Sequence, residues 1–457
     1  MESSTRLQAS LILLVSVTCS FGQQIRNGPA LKMDQALLTF HNQLNEQLHV
    51  FYTTDFCYKC VQQHLVSVQT DNSNSSATIS TKFTLTLQVE GQNRSEPLCR
   101  WSQTYEEGGR YSVWIQAPVA FTHPVCSFSV DKSPNNAHLP LLVVAFLLAI
   151  TALLFVVVPY VYRRRCTKCR KTLCCQDPQY SVDNDDGETA ESPGKAKPSR
   201  LLSLDTFRGF ALTVMVFVNY GGGGYWFLQH APWNGLTVAD LVMPWFVFIM
   251  GTSVVLAFSS MQRRGVSRLQ LLRKVTWRTA VLMLLGFCFL NYSPRDGPLS
   301  WSWLRIPGVL QRLGFTYFVL SLLQTFWGQT EIPEREGTSA AALCKCTRDG
   351  GFIPVNKNLW SLSYVMCMGC FSFLLLGGMY LIIDVKGWWS GQPFINPGTN
   401  SILVYVGHSL LGFYFPFSWE IRFQESHWEL LLQNLWGTAL WVLVSYLLYR
   451  KKFFLKI

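Results

Sequence analysis

The sequence predicts an α-helical polytopic membrane domain of about eight spans, preceded by a small β-rich, disulfide-bonded lumenal domain. Three observations carry that expectation. Of 457 residues, 49% are hydrophobic and only 14% charged, against about a quarter charged in soluble domains. Apolar runs near the ~20 residues that a bilayer requires recur from residue 139 onward. Between about residues 30 and 135 the pattern is period-two alternation with four cysteines. The net charge of +11 sits in short Lys and Arg clusters beside the apolar runs. That is positive-inside topology and not a nucleic-acid stripe, so the expected partner is the lipid bilayer and no nucleic acid.

Residues 1–22 read as a signal peptide. Arg6 precedes the short apolar run Leu11 to Val17, and Ser20 and Gly22 supply small residues for cleavage; a signal anchor is the alternative. Residues 30–135 form the lumenal domain, with strands at Thr81 to Val89 and Tyr111 to Ile115. Cys57, Cys60, Cys99 and Cys126 suggest two disulfides, with three pairings open. A metal site at Cys57 and Cys60 is the alternative, but no His cluster accompanies it. Asn74 and Asn93 open glycosylation sequons, as suits a lumenal face.

The first span, 139–160, ends in the basic run Arg163 to Lys171, which places residues 161–200 in the cytosol as a linker. Cys166, Cys169, Cys174 and Cys175 suit acylation better than zinc. Further apolar segments lie at about 207–220, 239–258, 276–291, 306–327, 359–384, 399–416 and 432–449, in the multi-span domain 201–457. The basic loop Arg263 to Lys274 falls in the cytosol. The basic tail Arg450 to Lys452, with Lys456, should do the same, yet an even number of spans from a lumenal start returns the chain to the lumen. Either a span is miscounted, or a block with an odd number of spans is missing between about 328 and 358.

Polar groups within or beside spans are functional candidates, because burying them in lipid is costly. The richest cluster runs from Asp205 and Arg208 through Asn219 and four glycines to His230, Asn234 and Asp240. A histidine suits taking a proton from an amine or carrying an acyl group, and Asp240 or Asp205 is placed to orient it. Arg305 and Arg312 open another span, Lys357 follows Asn356, and Asn400, Tyr405 and His408 lie within a later one. Helix packing and snorkelling are the competing explanation for some of these. No Walker motif, GxSxG elbow or HExxH is present, and no metal site is expected.

Several long runs resemble the lysosomal heparan-α-glucosaminide N-acetyltransferases. They are Leu204-Asp-Thr-Phe-Arg-Gly209, Val216-Phe-Val-Asn-Tyr-Gly-Gly-Gly223, Trp233-Asn-Gly-Leu-Thr-Val-Ala-Asp-Leu241, Pro244 to Gly251, Arg305 to Gly314, Gly351 to Val365 and Asn400 to His408. The resemblance covers most of 201–457, and more loosely the lumenal domain. It implies acetyl transfer across the lysosomal membrane, from cytosolic acetyl-CoA to the terminal glucosamine of heparan sulfate in the lumen. His230 matches the family's active histidine in its Trp-Asn-Gly context. Arg208, Arg305, Arg312 and Lys357 are candidate contacts for substrate or the CoA phosphates. No bound cofactor is implied, acetyl-CoA being a co-substrate, and a homo-oligomer is compatible with the pattern. The chain departs from the family between Glu331 and Gly351, where further spans are missing. The alternative reading follows from that gap: a truncated, non-catalytic membrane protein, or a partner of the full-length enzyme, retained in the endoplasmic reticulum.

Overall fold

Alternating burial along the N-terminal strands builds a two-layer sandwich. The computed structural model describes residues 31–57, 60–70, 73–92, 96–116, 125–169, 201–287, 308–327, 355–420 and 426–455; the signal peptide, most of the linker, Asn93 and Arg305 lie outside them. One sheet has the order β4 (Asn74–Ser80), β1 (Gln35–Asn42), β7 (Arg110–Gln116), β8 (Val125–Lys132). The other runs β3 (Gln63–Val68), β2 (Leu48–Thr54), β5 (Leu85–Gly91), β6 (Cys99–Gln103). In β1 and β5 every second residue is buried, the period of a strand with one face inward. Leu38, Phe40, Leu48, Val50, Leu87 and Ile115 interdigitate between the layers. Of the three open pairings the fold adopts Cys57–Cys60 and Cys99–Cys126. The second joins β6 to β8, the edge strands of the two sheets. The expected strand at Thr81 to Val89 begins only at Leu85. Asn74 is exposed at the start of β4.

After the sandwich the chain is helical: α1 (Leu139–Cys169), α2 (Leu202–Asn219), α3 (Val238–Arg263), α4 (Arg268–Leu285), α5 (Val309–Trp327), α6 (Leu362–Tyr380, with a π turn to Val385), the short α7 (Ile395–Thr399), α8 (Ser401–Leu411) and α9 (His427–Arg450). Each of the eight apolar segments overlaps one of these helices, though 288–291 and 306–307 lie outside the described residues. Among the described residues four are long and apolar enough to cross a membrane, namely α2, α3, α6 with its π turn, and α9, which makes this a multi-pass membrane protein. Leu139–Leu154 within α1 and Ser401–Leu411 are apolar but shorter. Large side chains such as Leu142, Phe146, Leu153 and Phe373 face outward, as expected where lipid rather than water surrounds the bundle.

α2 is the central helix, packed by α3, α6, α7, α8 and α9. It starts at Leu202 rather than near 207, because Asp384 at the end of α6 accepts hydrogen bonds from Leu202 N (3.2 Å) and Ser203 N (3.1 Å), satisfying free N–H groups of its first turn. Its second face meets α7 at backbone contact. A Cβ on Gly209 would lie 1.7 Å from the Phe394 carbonyl, and one on Gly398 1.9 Å from that of Asp205.

The ends of the bundle are distinguishable. The sandwich rests on the end formed by the α2–α3 connection and the start of α9. His427 Nε2 lies 3.1 Å from Asp34 and 3.3 Å from Glu107, Tyr225 donates to the Ala137 carbonyl, and Phe83 meets Trp226. At the far end are the start of α2, the end of α6 and the residues after α9, where Asn400 Nδ2 donates to the Phe453 carbonyl and Asn400 Oδ1 accepts from Leu455 N. α4 and α5 run antiparallel, Gly286 lying against Gln311 and Gly314 against Leu282. α5 therefore ends at the far end, whereas Val355 sits at the sandwich end, its carbonyl accepting from Gly235 N. Trp327 and Val355 thus lie on opposite ends of the bundle, and the 27 residues between them in the sequence include seven charged ones. The parity conflict read from the sequence resides here.

Candidate active site

His230 is delivered by an unusual piece of backbone. Gly221, Gly222, Gly223 and Gly224 all have positive φ, at 115°, 57°, 70° and 81°. A run of four such residues is accessible only to glycine without strain. It turns the chain sharply off the end of α2, and His427 Nδ1 holds it by donating to the Gly223 carbonyl at 2.9 Å.

The chain then returns into α3, whose first turn carries Asp240. This carboxylate is fully buried, and its donors are four. His230 Nδ1 is 2.9 Å and Lys357 Nζ 2.7 Å from Oδ1. Ala231 N (3.1 Å) and Thr237 Oγ1 (2.9 Å) donate to Oδ2. A buried carboxylate so held remains ionised and fixes whatever donates to it. Tyr364 of α6 donates to the Asp240 carbonyl at 2.8 Å, and Asn356 Nδ2 to Asn234 Oδ1 at 3.0 Å, so the segment before α6 clamps the histidine loop. The His230 side chain itself is 60% exposed.

Behind it a cavity of about 470 Å³ extends between α2, α3, α4, α5 and α8, within the range of ligand pockets, about 300–1,000 Å³. His230 and Asn219 line it toward the sandwich end. Arg208 lines it about 16 Å further along α2, at the helical rise of ~1.5 Å per residue. Between them the walls are apolar, from Met215, Val242, Phe246 and Ile249, with Ser253, Arg278 and Tyr405 adding polar atoms.

The sequence-named residues sort into three places. His230, Asn234, Asp240 and Lys357 come together. Asn219 faces the same cavity, bonded through Nδ2 to His408 Nε2 at 3.0 Å, while His408 Nδ1 donates to the Val404 carbonyl. Asp205 does not orient His230; it pairs with Arg208 at 3.1 Å toward the other end of α2, where Arg208 also reaches Ser253. Asn400 is not at the cavity, since both its amide groups hold the backbone after α9. Arg312, in the first turn of α5, is not among the residues lining the cavity. Lys357 lies at His230 rather than at Arg208 and Arg278. Thr237, Tyr364 and Arg278 were not singled out in the sequence; only the spacing of Thr237, three residues before Asp240, hints at a role.

Among the described residues one group has metal-ligand chemistry, Asp34, Glu107 and His427. Lys82 lies 3.4 Å from Asp34. With a protonated His427 it balances the two carboxylates, so ion pairing alone accounts for the cluster.

A family model described as the catalytic part of heparan-alpha-glucosaminide N-acetyltransferase matches residues 200–294, the stretch holding Arg208, Asn219, His230 and Asp240. Along the whole chain, the heparan-alpha-glucosaminide N-acetyltransferase of Mus musculus is 34% identical over 590 positions, covering 93% of this chain and 89% of the relative. That of Homo sapiens is 33% identical over 591 positions, covering 93% and 88%. Since 93% of 457 residues is about 425, about 165 of the positions aligned with the mouse protein face no residue of this chain.

Proposed function

The chain belongs to the heparan-alpha-glucosaminide N-acetyltransferase family, and from that premise we propose that it transfers acetyl from cytosolic acetyl-CoA to the terminal glucosamine of heparan sulfate on the lumenal side of the lysosomal membrane, through a bundle of about eight spans. The single observation that carries this reading is His230, fixed by a buried Asp240, at one end of a cavity that reaches Arg208 through the bundle. In this reading the sandwich end is lumenal and the far end cytosolic. The apolar walls suit the pantetheine arm, and Arg208 and Arg278 suit the negative phosphates.

The chemistry then follows from what His230 offers. With Nδ1–H on Asp240, Nε2 carries the lone pair and serves as a base. It accepts a proton from the glucosamine nitrogen as that nitrogen attacks the thioester carbonyl. The C–N bond forms, the C–S bond breaks, and the proton passes from Nε2 to the departing sulfur. A two-step version, with acetyl carried on Nε2, uses the same contacts. Asn219, lining the cavity with His230, is placed to meet the amine or the carbonyl. The test is acetyl-CoA-dependent acetylation of glucosamine by membranes bearing this chain and its His230→Ala variant; transfer that needs His230 supports the reading, and transfer that survives its loss overturns it.

A second reading has its own observation. The opposed positions of Trp327 and Val355 and the about 165 unmatched positions of the relative favour a non-catalytic form lacking an odd number of spans and held in the endoplasmic reticulum. It predicts glycans that stay sensitive to endoglycosidase H and no transfer activity; arrival in lysosomes with activity overturns it.

A further inference from the structure

Lys357 and Asp240 meet the same nitrogen of His230. Lys357 Nζ is 2.8 Å from His230 Nδ1, which is 2.9 Å from Asp240 Oδ1, and Nζ is 2.7 Å from that same oxygen. An ammonium can only donate and an ionised carboxylate can only accept. With a proton, Nδ1 therefore serves Asp240, leaving Nε2 a base. Without one, Nδ1 accepts from Lys357 and Nε2–H becomes a donor.

The charges matter as much as the tautomers. Asp240 is fully buried and Lys357 partly so, and a buried charge demands a partner. From α3, Thr237 adds a neutral donor; from α6, Tyr364 adds a neutral hydroxyl on the Asp240 carbonyl. Among the described residues in contact with Asp240, the cation other than His230 is Lys357. Resting on the proposed role of His230, we propose that Lys357 is a positioning residue that neutralises Asp240, so that the neighbouring imidazole stays uncharged and free to take a proton at Nε2. Without Lys357 the carboxylate would draw its counter-charge from His230, and the imidazolium so trapped is no base.

The exposed ring allows a test that does not depend on turnover. Diethyl pyrocarbonate acylates neutral imidazole, so its reaction at His230, read by peptide mass spectrometry across pH in the detergent-extracted full chain, reports the uncharged fraction directly. In Lys357→Met the midpoint of labelling rises by at least one pH unit, a tenfold slower reaction at any pH well below it. Lys357→Arg keeps the wild-type midpoint, and Asp240→Asn/Lys357→Met, with both charges removed, returns to it. A Lys357→Met midpoint that does not move, or a double variant displaced as far as the single one, overturns the proposal. If Lys357→Met does not fold, the comparison rests on the double variant, and a midpoint more than one unit from wild type overturns it. Inactivity of the wild-type chain would count against the proposed function and leave this labelling test standing.

Discussion

Asp240 acts on His230 through a hydrogen bond that leaves the imidazole one sensible tautomer for accepting a proton at Nε2. Its removal should be felt in rate rather than in folding, because Asn retains an acceptor for Ala231 N and Thr237 while its amide competes for His230 Nδ1. Asp240→Asn is expected to lower acetyl transfer by roughly 10²–10⁴-fold, the usual weight of positioned acid–base catalysis, with the protein still monodisperse in detergent; transfer within a factor of a few of wild type would remove Asp240 from the mechanism. That a histidine beside Asn, Gly and Asp is a candidate for chemistry was readable from the sequence, and so was the presence of a carboxylate to orient it. Which of two carboxylates did the orienting was not, because Asp205 and Asp240 lie on successive helices and only the pairing of Asp205 with Arg208 shows that it is already engaged. Lys357 was visible as a candidate cation but not as a neighbour of His230, since 127 residues separate them and only folding brings α6 beside α3.

The elements around the site depend on two local devices. The glycine run is one: a Cβ at Gly223, whose φ is 70°, would also lie 2.8 Å from Leu431. Gly223→Ala is expected to cost about 1–3 kcal/mol, from the backbone strain of a non-glycine residue there, read as a lower melting temperature of the detergent-solubilised protein; an unchanged temperature would mean that the turn relaxes freely. The other device is the seat of the sandwich, where Tyr225 stacks on His427 at 4.4 Å between ring centroids. Burial, then the nearby Glu107 carboxylate and Asp34, push the Tyr225 hydroxyl from its ordinary 10.0 up to about 12, against a backbone hydrogen bond that lowers it. The docked form thus prefers the neutral phenol. Its stabilisation is complete below pH 10 and is lost as pH rises from 10 toward 12. Limited proteolysis between sandwich and bundle should accelerate as pH rises from 10 toward 12, and Tyr225→Phe should shrink that upper rise; a rise of equal size in the variant would assign it to other groups. Two strands, β5 and β7, were legible because half-buried strands alternate with a period of two, and the helices other than α7 because each carries an apolar run. Helix starts were less so: α2 opens five residues early because Asp384, 182 positions away, caps it.

Across the whole molecule the described helices pose a topological question, because α5 ends at Trp327 and Val355 precedes α6 at opposite ends of the bundle. The sequence showed the same conflict as a basic tail on the wrong side and offered the stretch 328–358 as its place, but left a miscounted span as the alternative, because hydropathy counts spans without pairing them. If the chain assembles as described, the residues after α9 share a side with the basic loop between α3 and α4, and an epitope at the C-terminus is reached in cells permeabilised only at the plasma membrane. An epitope reached only after the internal membranes are opened would mean that α6 to α9 insert inverted and that Lys357 never meets His230.

The central claim concerns chemistry at one histidine, and the most direct measurement is acetyl transfer itself. Membranes bearing this chain, supplied with acetyl-CoA and glucosamine, are compared with membranes bearing equal amounts of His230→Ala. The account predicts transfer by the first and its loss in the second. Transfer that persists in His230→Ala would contradict it.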